Sequence, residues 1–140
     1  MSRAADIAGQ VDAERVTQEI LDANGVPRVT ALSQFAEFAG DALCWSWGAD
    51  ERNLIAISCY ISGIPAPIPA TRFRNAAALM LAGGMPIEDV RKTSSSGLAG
   101  YFGLSDPNAR AHDARDDAMS LAVAAQHLLR TGKLTHRDFD

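Results

Sequence analysis

Apolar residues in this chain fall into two kinds of run, some spaced by three and four positions and others short and continuous. The longest periodic segment starts at Ala114, where Ala118, Leu121, Ala122, Ala125, Leu128 and Leu129 recur at helical spacing and Gly132 supplies a stop. Upstream, Asp12 to Ala23 reads as a helix with Val16, Ile20 and Leu21 inward, closed by Asn24-Gly25 and followed by Pro27. Thr30 caps a second helix through Ala39 that buries Leu32, Phe35 and Phe38, and Gly40-Asp41 breaks it. The six residues Ala42-Leu-Cys-Trp-Ser-Trp47, apolar and aromatic between two turn signals, predict a buried strand. From Glu51 an amphipathic helix runs to about Ser62 with Leu54, Ile55, Ile57, Ser58 and Ile61 along it.

The proline-rich stretch Gly63-Ile-Pro-Ala-Pro-Ile-Pro69 is a loop, because proline breaks both helix and central strand. Beyond it the pattern predicts a short strand over Thr71 to Asn75, a helix over Ala76 to Leu81 and a break at Gly83-Gly84. A brief helix from Pro86 to Val90, a flexible turn over Ser94 to Gly97 and a helix from Leu98 to Leu104 follow. Short helices alternating with short apolar runs define an α/β class, rich in helix. There is no internal repeat. Residues 1–11 read as a disordered lead-in, 12–132 as one domain and 133–140 as a C-terminal tail.

Composition narrows the class. With 140 residues, 47% hydrophobic and 21% charged, the chain has enough apolar material for one core. A net charge of −4 argues against a protein that coats nucleic acid with its whole surface. An enzyme that meets phosphates through bound cations stays open. The basic clusters at Arg72 and Arg74, at Arg91 and Lys92, and at Arg130, Lys133 and Arg137 read as solvated surface. Cys44 and Cys59 match neither a metal spacing nor a disulfide framework and read as reduced and buried, in settings too apolar for a Cys-His hydrolase. No apolar run approaches the roughly 18 residues of a membrane span, and no basic-then-apolar leader is present in this sequence. The expected compartment is the cytoplasm, with no membrane partner.

The candidate chemistry clusters where the long helix opens. His112 and Asp117 stand five positions apart, with Asp113 and Asp116 beside them. Aspartates in a first turn ordinarily cap the helix, where unpaired N–H groups and the positive dipole end favour negative charge. A histidine just outside a helix and an aspartate one turn inside also converge on one point, so that the carboxylate holds a divalent metal while the imidazole takes a proton from a water. Such a centre needs a second carboxylate from elsewhere in the chain. Asp50 follows the tryptophan-rich strand where it hands over to a helix, beyond the carboxyl end of a strand in an α/β sheet, although an aspartate there also serves as a cap.

These two sites together resemble the DEDDh (DnaQ-like) branch of the 3′-to-5′ exonucleases, in the ribonuclease H-like superfamily. His112-Asp-Ala-Arg-Asp-Asp117-Ala is similar to the family's last motif, and Gly97-Leu-Ala-Gly-Tyr-Phe-Gly-Leu104 resembles the approach to it. Cys44-Trp-Ser-Trp-Gly-Ala-Asp50 is similar to the second motif, and Thr17-Gln-Glu-Ile-Leu to the segment leading into the first helix, so the likeness spans about residues 16 to 131. It implies a ribonuclease H-like α/β fold, helix-rich and truncated at its N-terminal strands. It also implies hydrolysis of phosphodiester bonds at the 3′ end of single-stranded RNA or DNA, with two divalent cations, Mg²⁺ or Mn²⁺. Asp117 and Asp50 would be metal ligands and His112 the general base, the three forming the catalytic set. Trp45 and Trp47 are core residues, stacking on bases only if they face the cleft.

The family's first motif, Asp-x-Glu on an opening strand, has no counterpart: Asp12-Ala-Glu14 has the letters but lies in helix-like sequence. The expectation is a chain that starts after those strands. It is then a fragment of a longer exonuclease, a remnant without catalysis, or a half-site completed by another chain. Loss of those strands would expose the flank of the sheet, which a homo-oligomer or a paired strand would cover. The alternative from another class is an inactive exonuclease-like remnant serving as a nucleic-acid- or protein-binding module.

Overall fold

The computed structural model describes residues 17–48, 50–110 and 113–140, with backbone only for Asp50 and Glu51. Helix α1 (Gln18–Asn24) is capped by Thr17, whose Oγ1 accepts from the Ile20 N–H at 3.2 Å, and it ends where the Gly25 N–H donates to Leu21. The predicted helix start at Asp12, and Val16, lie outside the described residues. Ile20 and Leu21 are exposed and not inward, since a helix this short has only one neighbourhood to pack on and buries none of its residues.

Helix α2 (Arg28–Ala39) begins two residues before the predicted Thr30 cap. Pro27, at the N-cap with φ −55°, presets the chain direction, and no side chain caps the first turn. Leu32 is buried and the Phe35 ring stacks on Phe73 at 6.5 Å, but Phe38 is 91% exposed. The predicted burial of Phe38 therefore fails, because helical spacing marks an apolar stripe wider than the face α2 covers.

Strand β1 (Cys44–Ser46) pairs in parallel with β2 (Phe73–Asn75), Trp45 opposite Arg74, and the sheet has two strands among the described residues. β1 is three residues long and half-buried, shorter and less enclosed than the predicted six-residue buried strand. Parallel pairing demands a crossover, which helix α3 (Asp50–Ser62) provides together with the proline loop. Arg72, in the 3₁₀ turn Ala70–Arg72 ahead of β2, donates through its guanidinium to the carbonyls of Gly40 and Ala42 and so fastens the exit of α2 to the sheet. Its role is anchoring, beyond the solvated surface expected of it.

After β2 come α4 (Ala77–Ala82), α5 (Ile87–Lys92), the 3₁₀ turn Ser95–Gly97, α6 (Leu98–Tyr101) and α7 (Ala114–Arg130). The core lies here. Leu79 and Met80 of α4, Leu98 of α6 and Leu121, Ala124 and Leu128 of α7 enclose one another with Ala76, Met85 and Leu134. Ala118 and Ala122 are exposed, so the buried stripe of α7 is rotated from the predicted one and includes Ala124. Gly132, at φ 75°, ends α7 as its position predicts. Beyond it Leu134 is 2% exposed and Phe139 meets Trp45 edge-on, so the last residues are packed. Cys59 is buried, Cys44 is half-buried, and both are free thiols. Among the described residues no helix is long and apolar enough to cross a membrane. The molecule is α/β, dominated by helix around a small parallel sheet.

Candidate functional site

The opening turn of α7 sorts its aspartates by task. Asp113 is the N-cap, and its Oδ1 accepts from the N–H groups of Arg115 at 3.1 Å and Asp116 at 3.2 Å. Asp116 reaches back, its Oδ2 accepting from the Arg110 N–H at 2.9 Å. Both carboxylates thus satisfy backbone donors, as the capping reading expects. Asp117 differs. Its Oδ1 is shielded from solvent and has no hydrogen-bond partner among the described residues.

Asp117 lies in the wall of a cleft of about 360 Å³ between α6, the loop that follows it and α7, lined also by Ser96, Ala99, Ser105, Asp106 and Ser120. Ser120, one turn further along α7, fixes the floor: its hydroxyl accepts from the Ala99 N–H at 2.9 Å and donates to the Ser96 carbonyl at 3.3 Å. Between α6 and α5, the Tyr101 hydroxyl donates to Asp89 at 2.6 Å. That hydrogen bond, reinforced by desolvation and by the carboxylate charge, holds the Tyr101 phenol above its ordinary pKa.

The carboxyl end of β1 is built by different contacts. The Ser46 hydroxyl donates to the Gly48 carbonyl, and Asn75 Oδ1 accepts from both the Gly48 and Ala77 N–H groups at 3.0 Å. One side-chain amide thereby joins the exit of β1 to the entrance of α4. The Trp47 indole N–H donates to the Thr93 carbonyl at 3.1 Å. Thr93 adjoins the 3₁₀ turn whose Ser96 carbonyl Ser120 holds, so short polar links run from β1 to α7. Both tryptophans pack against the core, and Trp45 also lines an apolar groove of about 350 Å³ with Ala118, Ala122, Leu129 and Phe139.

Of the residues singled out in the sequence, Asp117 is placed at the cleft and the backbone of Asp50 starts α3 just past β1. The Asp50 side chain and the whole of His112 lie outside the described residues. Among the described residues no group of three or more His, Cys, Asp or Glu is positioned to hold a metal ion. Sequence reasoning missed Ser120, Ser96, Thr93 and Asn75. Ser120 gave no signal, because the apolar stripe read from the sequence left out Ala124 and so did not place Ser120 on the inner face of the helix. No protein-family model matches the chain, and neither does any curated protein or any solved structure.

Proposed function

We propose that this chain is a 3′-to-5′ exonuclease-type domain of the DEDDh family, on a ribonuclease H-like fold, acting on the 3′ end of single-stranded RNA or DNA. The observation that supports it is the buried Oδ1 of Asp117, which has no hydrogen-bond donor among the described residues. A carboxylate oxygen removed from water and left without a donor costs on the order of 1–3 kcal/mol or more, which a cation ligated at that oxygen offsets. Asp113 and Asp116 accept from backbone amides, which leaves Asp117 as the carboxylate of this turn free to take a metal.

In this reading Asp117 and Asp50 hold Mg²⁺ or Mn²⁺ and His112 accepts the proton of the attacking water, a task suited to an imidazole that is neutral near pH 7. Bound divalent cations supply Lewis-acid stabilisation of the attacking and leaving oxygens. The scaffold from Trp47 through Thr93 and Ser96 to Ser120 fixes the end of β1 relative to α7, which a site made from both requires. No strand among the described residues carries Asp-x-Glu, so the remaining carboxylate comes from outside them.

The test is digestion of 3′-labelled single strands in Mn²⁺, with calorimetric Mn²⁺ binding measured in parallel. Asp117→Ala is expected to abolish both cleavage and tight Mn²⁺ binding. His112→Ala should slow cleavage by about 100-fold or more while leaving Mn²⁺ bound. Equal cleavage by the wild type and Asp117→Ala would refute the mechanism. Retained binding of single strands without cleavage in any protein would transfer the assignment to the noncatalytic binding module.

A further inference from the structure

We propose that α3 is a self-association surface, pairing with α3 of a second copy of this chain across a two-fold axis through Leu54, Ile57 and Ile61. From Leu54 to Ser62 the helix contains no charged residue. Over that stretch apolar side chains lie on the outer side of α3 as well as on its inner side, and an apolar helix face ordinarily packs against a neighbour. Here α3 is covered on one side. Cys59 is 4% exposed and Ile55 and Ser58 are half-buried, whereas Leu54, Ile57 and Ile61 remain 65%, 57% and 63% exposed and Tyr60 89%.

The exposed positions are spaced by three and then four, the a, d, a of a heptad seam, and such a seam is built to meet another helix. Its composition fits a copy of itself. An antiparallel partner centred near Ile57 sets Leu54 against the second copy's Ile61 and Ile57 against its own counterpart, aliphatic on aliphatic, with no charge on the seam to repel the copy or to require a partner of opposite sign. The same crossing sets the two helix dipoles antiparallel, each positive end beside the partner's negative end. Two-fold dimers are the commonest closed assemblies, because one self-complementary patch suffices. Four large apolar side chains, each more than half exposed on one helix, make a contiguous patch on the order of a few hundred Å², and the two-fold doubles it to near the roughly 1,000 Å² that a specific interface buries.

Sedimentation of the full chain across a wide concentration range tests this, with Ile57→Glu as the variant. Ile57 is exposed, so the substitution leaves the core intact, and an unchanged circular dichroism spectrum checks that. The wild type is expected to pass from monomer to dimer with concentration, and Ile57→Glu to raise the dimer Kd about tenfold or more. Register is read separately by oxidation in a Cys44→Ser background: Ile57→Cys should form a disulfide-linked dimer faster than Ala56→Cys, whose exposed side chain lies off the seam. A wild type monomeric throughout, an Ile57→Glu chain that dimerises as the wild type does, or equal cross-linking at both positions would each overturn the proposal.

Discussion

Asp117 and Ser120 stand one helical turn apart and illustrate how much chemistry was readable residue by residue. The cluster of acids before an apolar helix was visible in the sequence, and so was the likelihood that some of them cap it; which acid does which job depends on the Arg110 amide folding back to Asp116, a contact that spacing does not encode. Ser120 escaped because a lone serine within an alanine-rich run reads as neutral until its neighbours on the inner face are known. Tyr101 was likewise silent, and the structure gives it a measurable property. Its phenol is held above the ordinary 10.0, chiefly by the hydrogen bond to Asp89. A group whose pKa is raised on folding stabilises the folded state fully below its unfolded pKa and loses that contribution as pH rises through the folded value. The stability of the α5–α6 contact should therefore hold to about pH 10 and decline above it. Phenolate absorbance should show one tyrosine titrating late, and Asp89→Asn should return it toward 10.0; an unchanged titration curve would mean that the bond is not formed in solution.

Elements were legible in existence and type and less so in extent. α3 and α7 stand where periodicity places them, because each is long enough to average over local ambiguities. α2 begins at Arg28 because Pro27 sets the entry, and α6 stops at Tyr101 because the chain turns through Gly103, at φ 73°. Burial was read less well. Periodicity marked Ile20, Leu21 and Phe38 as inward, and all three are exposed, since a pattern reports that a face is apolar without reporting what covers it. Helix packing has one sharp constraint at Gly83, which closes α4. A Cβ there would come 2.7 Å from Leu128 Cδ1 and 3.3 Å from the Leu79 carbonyl. Leu128 is 3% exposed and has little room to retreat. Gly83→Ala should cost about 1–3 kcal/mol despite its allowed backbone angles, read as a lower urea midpoint. A variant as stable as the wild type would show that α4 and α7 pack less tightly than described.

At the scale of the whole molecule, stability is unevenly placed. The core draws on residues from Ala76 to Leu134, whereas among the described residues α1 buries nothing and α2 and α3 bury only Leu32 and Cys59. Amide exchange should be slowest in α4 and α7 and fastest in α1, with α2 and α3 between them. Uniform protection across all five helices would contradict that division. The α/β class was evident from the alternation of helical and continuous apolar runs, but the small size of the sheet was not, because three residues suffice to make a strand once a partner lies beside it. The parallel order of that sheet also bears on how the chain reaches its native state. As synthesis proceeds from the N-terminus, β1 waits for the whole crossover before β2 is available, and Leu79 and Met80 then wait for Leu98, Leu121 and Leu128. Until α7 has been made, the apolar side of α4 lacks the cover that Leu121, Ala124 and Leu128 bring, and the growing chain carries that side open to other molecules.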